Sequence, residues 1–186
     1  MSTYYHRHMT QRVSTDPNWR VNCMAYAGAM VINDATLGGL FGVTGQLVRK
    51  YSDEPNPDPG SPGLNIQQIV NLARDRYRVN LANRTGSDWN AMLHELQTGP
   101  GRRIFAAIEY KELGDYRCQA GGDFAHAIVI IRSSPNALLV SDPLCSSAKW
   151  ISKTAVNAAM VAMAKTTGHG PGFLWWGMTR PIPRTA

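Results

Sequence analysis

Residues 124–132, FAHAIVIIR, limit the possible folds of this chain more than any other segment. A run this short, this apolar and this rich in β-branched residues reads as an interior strand. Ser134-Pro-Asn-Ala follows it and reads as a turn. Residues 137–142, ALLVSD, then read as the next strand, consistent with a hairpin. Inside this apolar block stands one ionisable side chain, His126, flanked by alanines. Packing alone gives an imidazole little reason to be there.

The remaining elements arrange themselves around that hairpin. The first half of the chain reads as helical. Asn22 is a candidate N-cap for a run from Cys23 to Ile32 that is apolar on all sides, as a buried helix is. A second helix is expected over 44–51. A third runs from Asn65 to Tyr77, with Ile66, Ile69, Val70 and Ala73 on one face. A fourth is capped by Ser87, carries Trp89, Met92, Leu93 and Leu96, and is stopped by Gly99-Pro100. The second half reads as sheet, with strands over 103–110 and 173–180 besides the hairpin, and one small-residue helix over 152–165. Helices first and antiparallel strands later describe an α+β domain. The proline-rich stretch 52–63, SDEPNPDPGSPG, has too little chain before it to separate two domains. It reads as an internal loop, leaving one domain over 1–186 with residues 1–18 as an N-terminal arm.

Composition narrows the function. Hydrophobic residues make up 44% of the chain, which excludes a disordered polymer. No apolar run of spanning length occurs, and residues 1–20 lack the apolar centre of a secretory signal, so synthesis in the cytoplasm is expected. The net charge is +6, but the basic residues are scattered, without basic runs or interleaved aromatics. This argues for a solvated surface and against nucleic acid as partner. Three cysteines, Cys23, Cys118 and Cys145, at wide spacing do not read as a disulfide framework, and no CxxC pair suggests zinc. At least one free thiol is expected, in keeping with a reducing compartment. A metal site from Cys118, His126 and Cys145 lacks ligand spacing, and no cofactor is called for. Cys118 and Cys145 read as incidental, His169 as a solvated loop residue, and His6 and His8 as surface residues of the arm. Trp175 and Trp176 read as core or interface residues.

Cys23 sits where a helix should begin, and a helix N-terminus favours a thiolate through its dipole and free N–H groups. Ala25, Ala27, Gly28 and Ala29 would let that helix pack closely on a sheet. A thiolate nucleophile needs a base in reach, and His126 is the candidate. The base needs an acceptor that fixes its tautomer, and Asp142 closes the strand paired with that of His126. Taken singly, a buried cysteine or histidine is more often structural; the three together favour catalysis.

The order of these motifs resembles a known family. Asn22-Cys23-x-Ala-Tyr-Ala opens a helix, His126-Ala-Ile-Val-Ile follows in a strand, and Asp142-Pro-Leu ends the next. Together with Pro-Gly-Leu at 62–64 and Trp-Ile-Ser-Lys at 150–153, this is similar to papain-like cysteine peptidases, in the branch that processes double-glycine leader peptides, with a phage-encoded member expected. The resemblance covers about residues 19–151. It implies a helical lobe carrying the cysteine packed on an antiparallel sheet, with Cys23 as nucleophile, His126 as general base and Asp142 as the orienting acid. The family's glutamine ahead of the cysteine is missing. Asn18 is the expected substitute as oxyanion donor, Asn22 is a weaker one, and Gln11 lies too far upstream.

The expected function is a thiol hydrolase acting on peptide or amide bonds, either in a protein or leader peptide or in the peptide stem of peptidoglycan. The same residues would serve an acyltransferase or deamidase. The alternative is a papain-like structural component of a phage virion, a tail or tail tip contacting neighbouring phage proteins. A composition rich in Gly, Asn, Thr and Trp fits it. The loops 52–63 and 111–123 are expected to flank the cleft.

Overall fold

Local signals place the helices. The structure is a computed structural model that describes residues 6–12, 21–36, 42–55, 63–99, 101–120 and 123–180. Helix α1 (Cys23–Ala35) follows Asn22, whose side chain makes no cap bond and instead accepts from Arg49 Nε at 2.6 Å. Helix α2 (Gly45–Lys50) is capped by Thr44. Helix α3 (Ile66–Tyr77) opens with a reciprocal capping box, Asn65 accepting from the Gln68 N–H and Gln68 accepting from the Asn65 N–H. Helix α4 (Trp89–Thr98) is capped by Asp88 rather than Ser87, because the Asp88 carboxylate accepts from the Ala91 N–H at 2.8 Å. Helix α5 (Lys153–Thr166) is capped by Ser152.

Among the described residues six strands form one antiparallel sheet: β1 (Leu81–Asn83), β2 (Ile104–Glu109), β3 (Ala125–Ser133), β4 (Ala137–Ser141), β5 (Lys149–Ser152) and β6 (Trp176–Thr179). Their order is β1-β6-β2-β3-β4-β5, so the FAHAIVIIR strand is interior, as its composition requires. Strands β1 and β5 are too short to announce themselves by alternation. They form because neighbours offer unpaired edges.

Strand alternation sorts the core into two faces. Ile104, Ala106, Ile108, Ile128, Ile130, Leu138, Val140 and Trp176 pack with Met92 and Leu96 of α4 and with Val156, Ala159 and Met160 of α5. Phe105, Ala127 and Val129 face the opposite way, against α1, α2 and α3. The cysteine-bearing helical lobe therefore lies on one face, and α4 and α5 cover the other. Gly28 shows how tightly α1 is held: a Cβ there would lie 2.8 Å from Ile69 Cδ1, so the close approach is to α3 as well as to the sheet. Among the described residues no helix is long and apolar enough to cross a membrane.

Two expectations about the chain's periphery are corrected. His6 and His8 are not free surface groups. His6 Nδ1 lies 2.7 Å from Asp34 Oδ2, and His8 bridges Ser141 Oγ (2.6 Å) and the Cys145 carbonyl (2.9 Å). His169 is half-buried and stacks on Phe173 at 3.9 Å rather than standing in solvent. Sequence gives no warning of either, since the partners lie far away in the chain or beyond intervening glycines.

Candidate active site

The hairpin register brings His126 and Asp142 together. Val129 pairs with Ser141, which sets Asp142 level with Ile128, two residues from His126 on the same face. His126 Nε2 lies 2.6 Å from Asp142 Oδ1, and both side chains are almost wholly buried. The Leu144 N–H donates to the same carboxylate oxygen at 2.8 Å, which fixes its rotamer. With Nε2 engaged by the carboxylate, Nδ1 is the nitrogen left for Cys23.

Cys23 is the first residue of α1 and is half-buried, and it lines the same cleft as His126. Burial pushes this thiol up. The hydrogen bond and charge of His126, with backbone N–H bonds from Ala127 and Met24, outweigh burial, and the net shift is downward from 9.0. The imidazole moves the opposite way. Burial lowers it, but the bonds to Asp142 and Cys23 and their charges raise it from 6.5 to about 9. The shifts are mutual: thiolate and imidazolium stabilise each other, and Asp142 holds the cation.

Aromatic rings wall in the pair. Tyr110 is fully buried, and its ring meets the edge of His126 at 4.8 Å and stacks on Phe124 at 5.0 Å. Burial, then the charge of Asp142, push the Tyr110 phenol up, so it stays protonated. Tyr110 was not singled out from the sequence. It directly follows β2, with nothing around it in the sequence to mark it.

A cleft of about 260 Å³ opens at the thiol. Cys23 and His126 line it with Leu64 and Asn65 ahead of α3, Met163 of α5 and Trp175. Gly63 also lines it; with φ at +79° and a would-be Cβ 3.0 Å from the Val21 carbonyl, this position requires glycine. The loop 52–63 thus reaches the cleft through its last residue. The described residues of 111–123 do not line it. Tyr110–Tyr116 forms a 3-10 helix packed on α5. Trp176 is core, as expected, whereas Trp175 belongs to the cleft.

Asn18, the expected oxyanion donor, lies outside the described residues. The Asn22 side-chain oxygen is committed to Arg49, and Gln11 is buried with its N–H on the Pro143 carbonyl, away from the lining.

Cys118 and Cys145 are not incidental: they form a disulfide, leaving Cys23 the free cysteine. Wide spacing concealed the pairing, because the fold and not the sequence brings their Cα atoms to 5.2 Å. The bridge removes the argument for a reducing compartment. Together with Asp142 these sulfurs lie within 4.8 Å of one another, but bonded to each other they offer no thiolate to a metal.

No protein-family model matches the chain, and no curated protein matches it in sequence. Solved structures do match its fold. A structure described as a C39-like peptidase from Bacillus anthracis superposes with a TM-score of 0.67 at 14% identity, over 99% of this chain and 98% of that one. A double glycine motif protease from an AMS/PCAT transporter, solved with its leader peptide, gives 0.52 at 12% identity over 95% and 91%. The peptidase domain of Streptococcus ComA, a bi-functional ABC transporter involved in quorum sensing, gives 0.52 at 13% over 94% and 96%. The α+β architecture read from the sequence is therefore the papain-like fold of C39-like peptidases.

Proposed function

We propose that this chain is a cysteine peptidase or amidase that cleaves peptide bonds through Cys23, His126 and Asp142. The observation that carries this reading is a thiol at the start of α1 that shares one cleft with an imidazole whose Nε2 is held at 2.6 Å by a buried carboxylate. The thiolate attacks the substrate carbonyl carbon, and the imidazolium gives its proton to the leaving amine as the C–N bond breaks. A thioester on Cys23 remains. His126, now neutral, takes a proton from water, the hydroxyl adds to the thioester, and the acid leaves as the thiol is restored. Asp142 keeps the imidazole in one tautomer throughout.

A peptide is the favoured substrate class over a peptidoglycan stem. Its support is an apolar cleft lined by Leu64, Met163 and Trp175, together with a shared fold in which one protein was solved with a leader peptide. Nothing in the geometry or in the three similar structures favours the virion alternative.

The test is the rate of Cys23 alkylation by iodoacetamide across pH 4 to 9, in the wild type and in His126→Ala, followed by a screen of peptides for cleavage. Fast alkylation with an apparent pKa well below about 8.5, lost in the variant, is the expected result. An ordinary thiol profile in the wild type would reject the assignment of Cys23 as nucleophile.

A further inference from the structure

The two cysteines that this chemistry does not use lie against it. The Cys118–Cys145 bridge closes a span of 27 residues, and that covalent loop contains both His126 and Asp142. Cys145 is buried, and its Sγ lies 3.5 Å from Asp142 Oδ2, the carboxylate oxygen that His126 does not use. At the other end, the N–H groups of Cys118 and Gln119 donate to the Tyr110 hydroxyl at 2.8 and 3.3 Å, and the Tyr110 ring abuts His126. The N-terminal segment straps over both halves. Arg12 donates to the Cys118 carbonyl and to Gln119, Thr10 and Gln11 donate to the Pro143 carbonyl, and His8 Nε2 bonds the Cys145 carbonyl. The bridge thus joins the two segments that close over the His–Asp pair.

We propose that the Cys118–Cys145 bridge is a redox-gated positioning element of the active site: oxidised, it holds Asp142 on His126, and its reduction switches off the Cys23 thiolate. The inference rests on the cysteine-peptidase reading. In the bridged form Cys145 Sγ carries no hydrogen, so it cannot compete with His126 as a donor to the carboxylate. A dithiol reductant changes that. Its thiolate attacks the half-buried Cys118 sulfur, the S–S bond breaks, and the electron pair leaves on Cys145 Sγ. A thiolate 3.5 Å from a carboxylate is repelled, so this sulfur takes a proton. The second thiol of the reductant closes on the mixed disulfide and frees Cys118 as a thiol. The reductant departs as a cyclic disulfide, and two protein thiols remain. Cys145 then presents an S–H donor to Asp142, and the two capping segments are no longer tied. Both changes loosen the carboxylate that keeps His126 charged. Among the described residues, the titratable groups that act with Asp142 are His126 and Tyr110, with the Cys145 sulfur alongside and Cys23 beyond the imidazole. The nucleophile must stay reduced while the bridge stays oxidised, so the enzyme works only within a window of redox poise.

The experiment begins with intact mass after alkylation of the purified, unreduced chain under denaturing conditions. One label is expected, and three after reduction. Peptide-resolved alkylation of Cys23 is then followed from pH 4 to 9 in EDTA at low temperature. Three forms are compared: the oxidised chain, the chain reduced with a phosphine and desalted, and Cys118→Ala/Cys145→Ala. Near-UV circular dichroism is recorded on each. The proposal expects Cys23 in the oxidised form to react fast at pH 5.5, and expects that rate to fall about tenfold or more in the other two as the apparent pKa climbs toward about 8.5. An unchanged Cys23 profile in the folded reduced form would overturn the gate and leave the peptidase reading intact. So would three labels before reduction, or loss of the thiolate only by global unfolding. An ordinary thiol profile already in the oxidised form would sink the peptidase reading and the gate with it.

Discussion

Among the described residues a histidine–aspartate pair is built twice. His126 and Asp142 meet at 2.6 Å, and His6 and Asp34 at 2.7 Å; both carboxylates are almost fully buried. The pairs differ in what stands on their far sides. His126 turns its second nitrogen to a thiol at a helix start, beside an apolar cleft. His6 Nε2 has no partner among the described residues, and Asp34 is shared with Arg103 at 2.9 Å. In the proposed chemistry one pair moves protons, whereas the other ties the N-terminal segment to α1 and, through Asp34, to Arg103 just ahead of β2. A buried His–Asp contact is therefore no signature of catalysis; the neighbour of the outer nitrogen decides.

The largest expected effect is at the first pair. His126→Ala should lower peptide turnover by about 10⁴-fold or more, because base, acid and thiolate partner go at once. Steady-state cleavage of the best peptide from the screen measures it. Asp142→Asn should cost about 10²- to 10⁴-fold in turnover, since the amide holds the wrong tautomer. The same variant sharpens the comparison through pH. Wild-type turnover should rise on an acid limb set by the lowered Cys23 thiol and fall near pH 9 as the imidazolium loses its proton. Asp142 helps raise the imidazole, so removing its charge should move the alkaline limb down toward 6.5.

Asp34→Ala would break the second pair. It strands the buried Arg103 guanidinium and should cost about 3–5 kcal/mol in urea unfolding, while the Cys23 alkylation profile stays as in the wild type. A shifted profile would mean that the two pairs are coupled and do not act independently. His6→Ala should cost the least, about 1–2 kcal/mol, with no change at the thiol.

Much of the site was legible because its chemistry is local to strong patterns. An apolar run cannot hide a histidine, so FAHAIVII pointed to His126, and the turn at 134–137 fixed the partner strand whose end carries Asp142. The helix beginning at Cys23 followed from its unbroken apolar run. Ser87 was mistaken for Asp88 because two capping residues stand side by side and only backbone direction chooses between them. The place of Trp175 and Met163 in the cleft, and of Tyr110 against His126, left no mark, because such contacts are a property of packed surfaces and not of spacing.

By itself, then, the sequence determined the α+β class and the interior hairpin and nominated the three residues of the proposed chemistry, since periodicity and turn chemistry act within a few residues. Only the tertiary structure decided that Cys118 and Cys145 bond, that His6 and His8 are anchors, and which walls enclose the thiol. Those depend on atoms brought together from 27 to more than 130 positions apart, and no local pattern records such encounters.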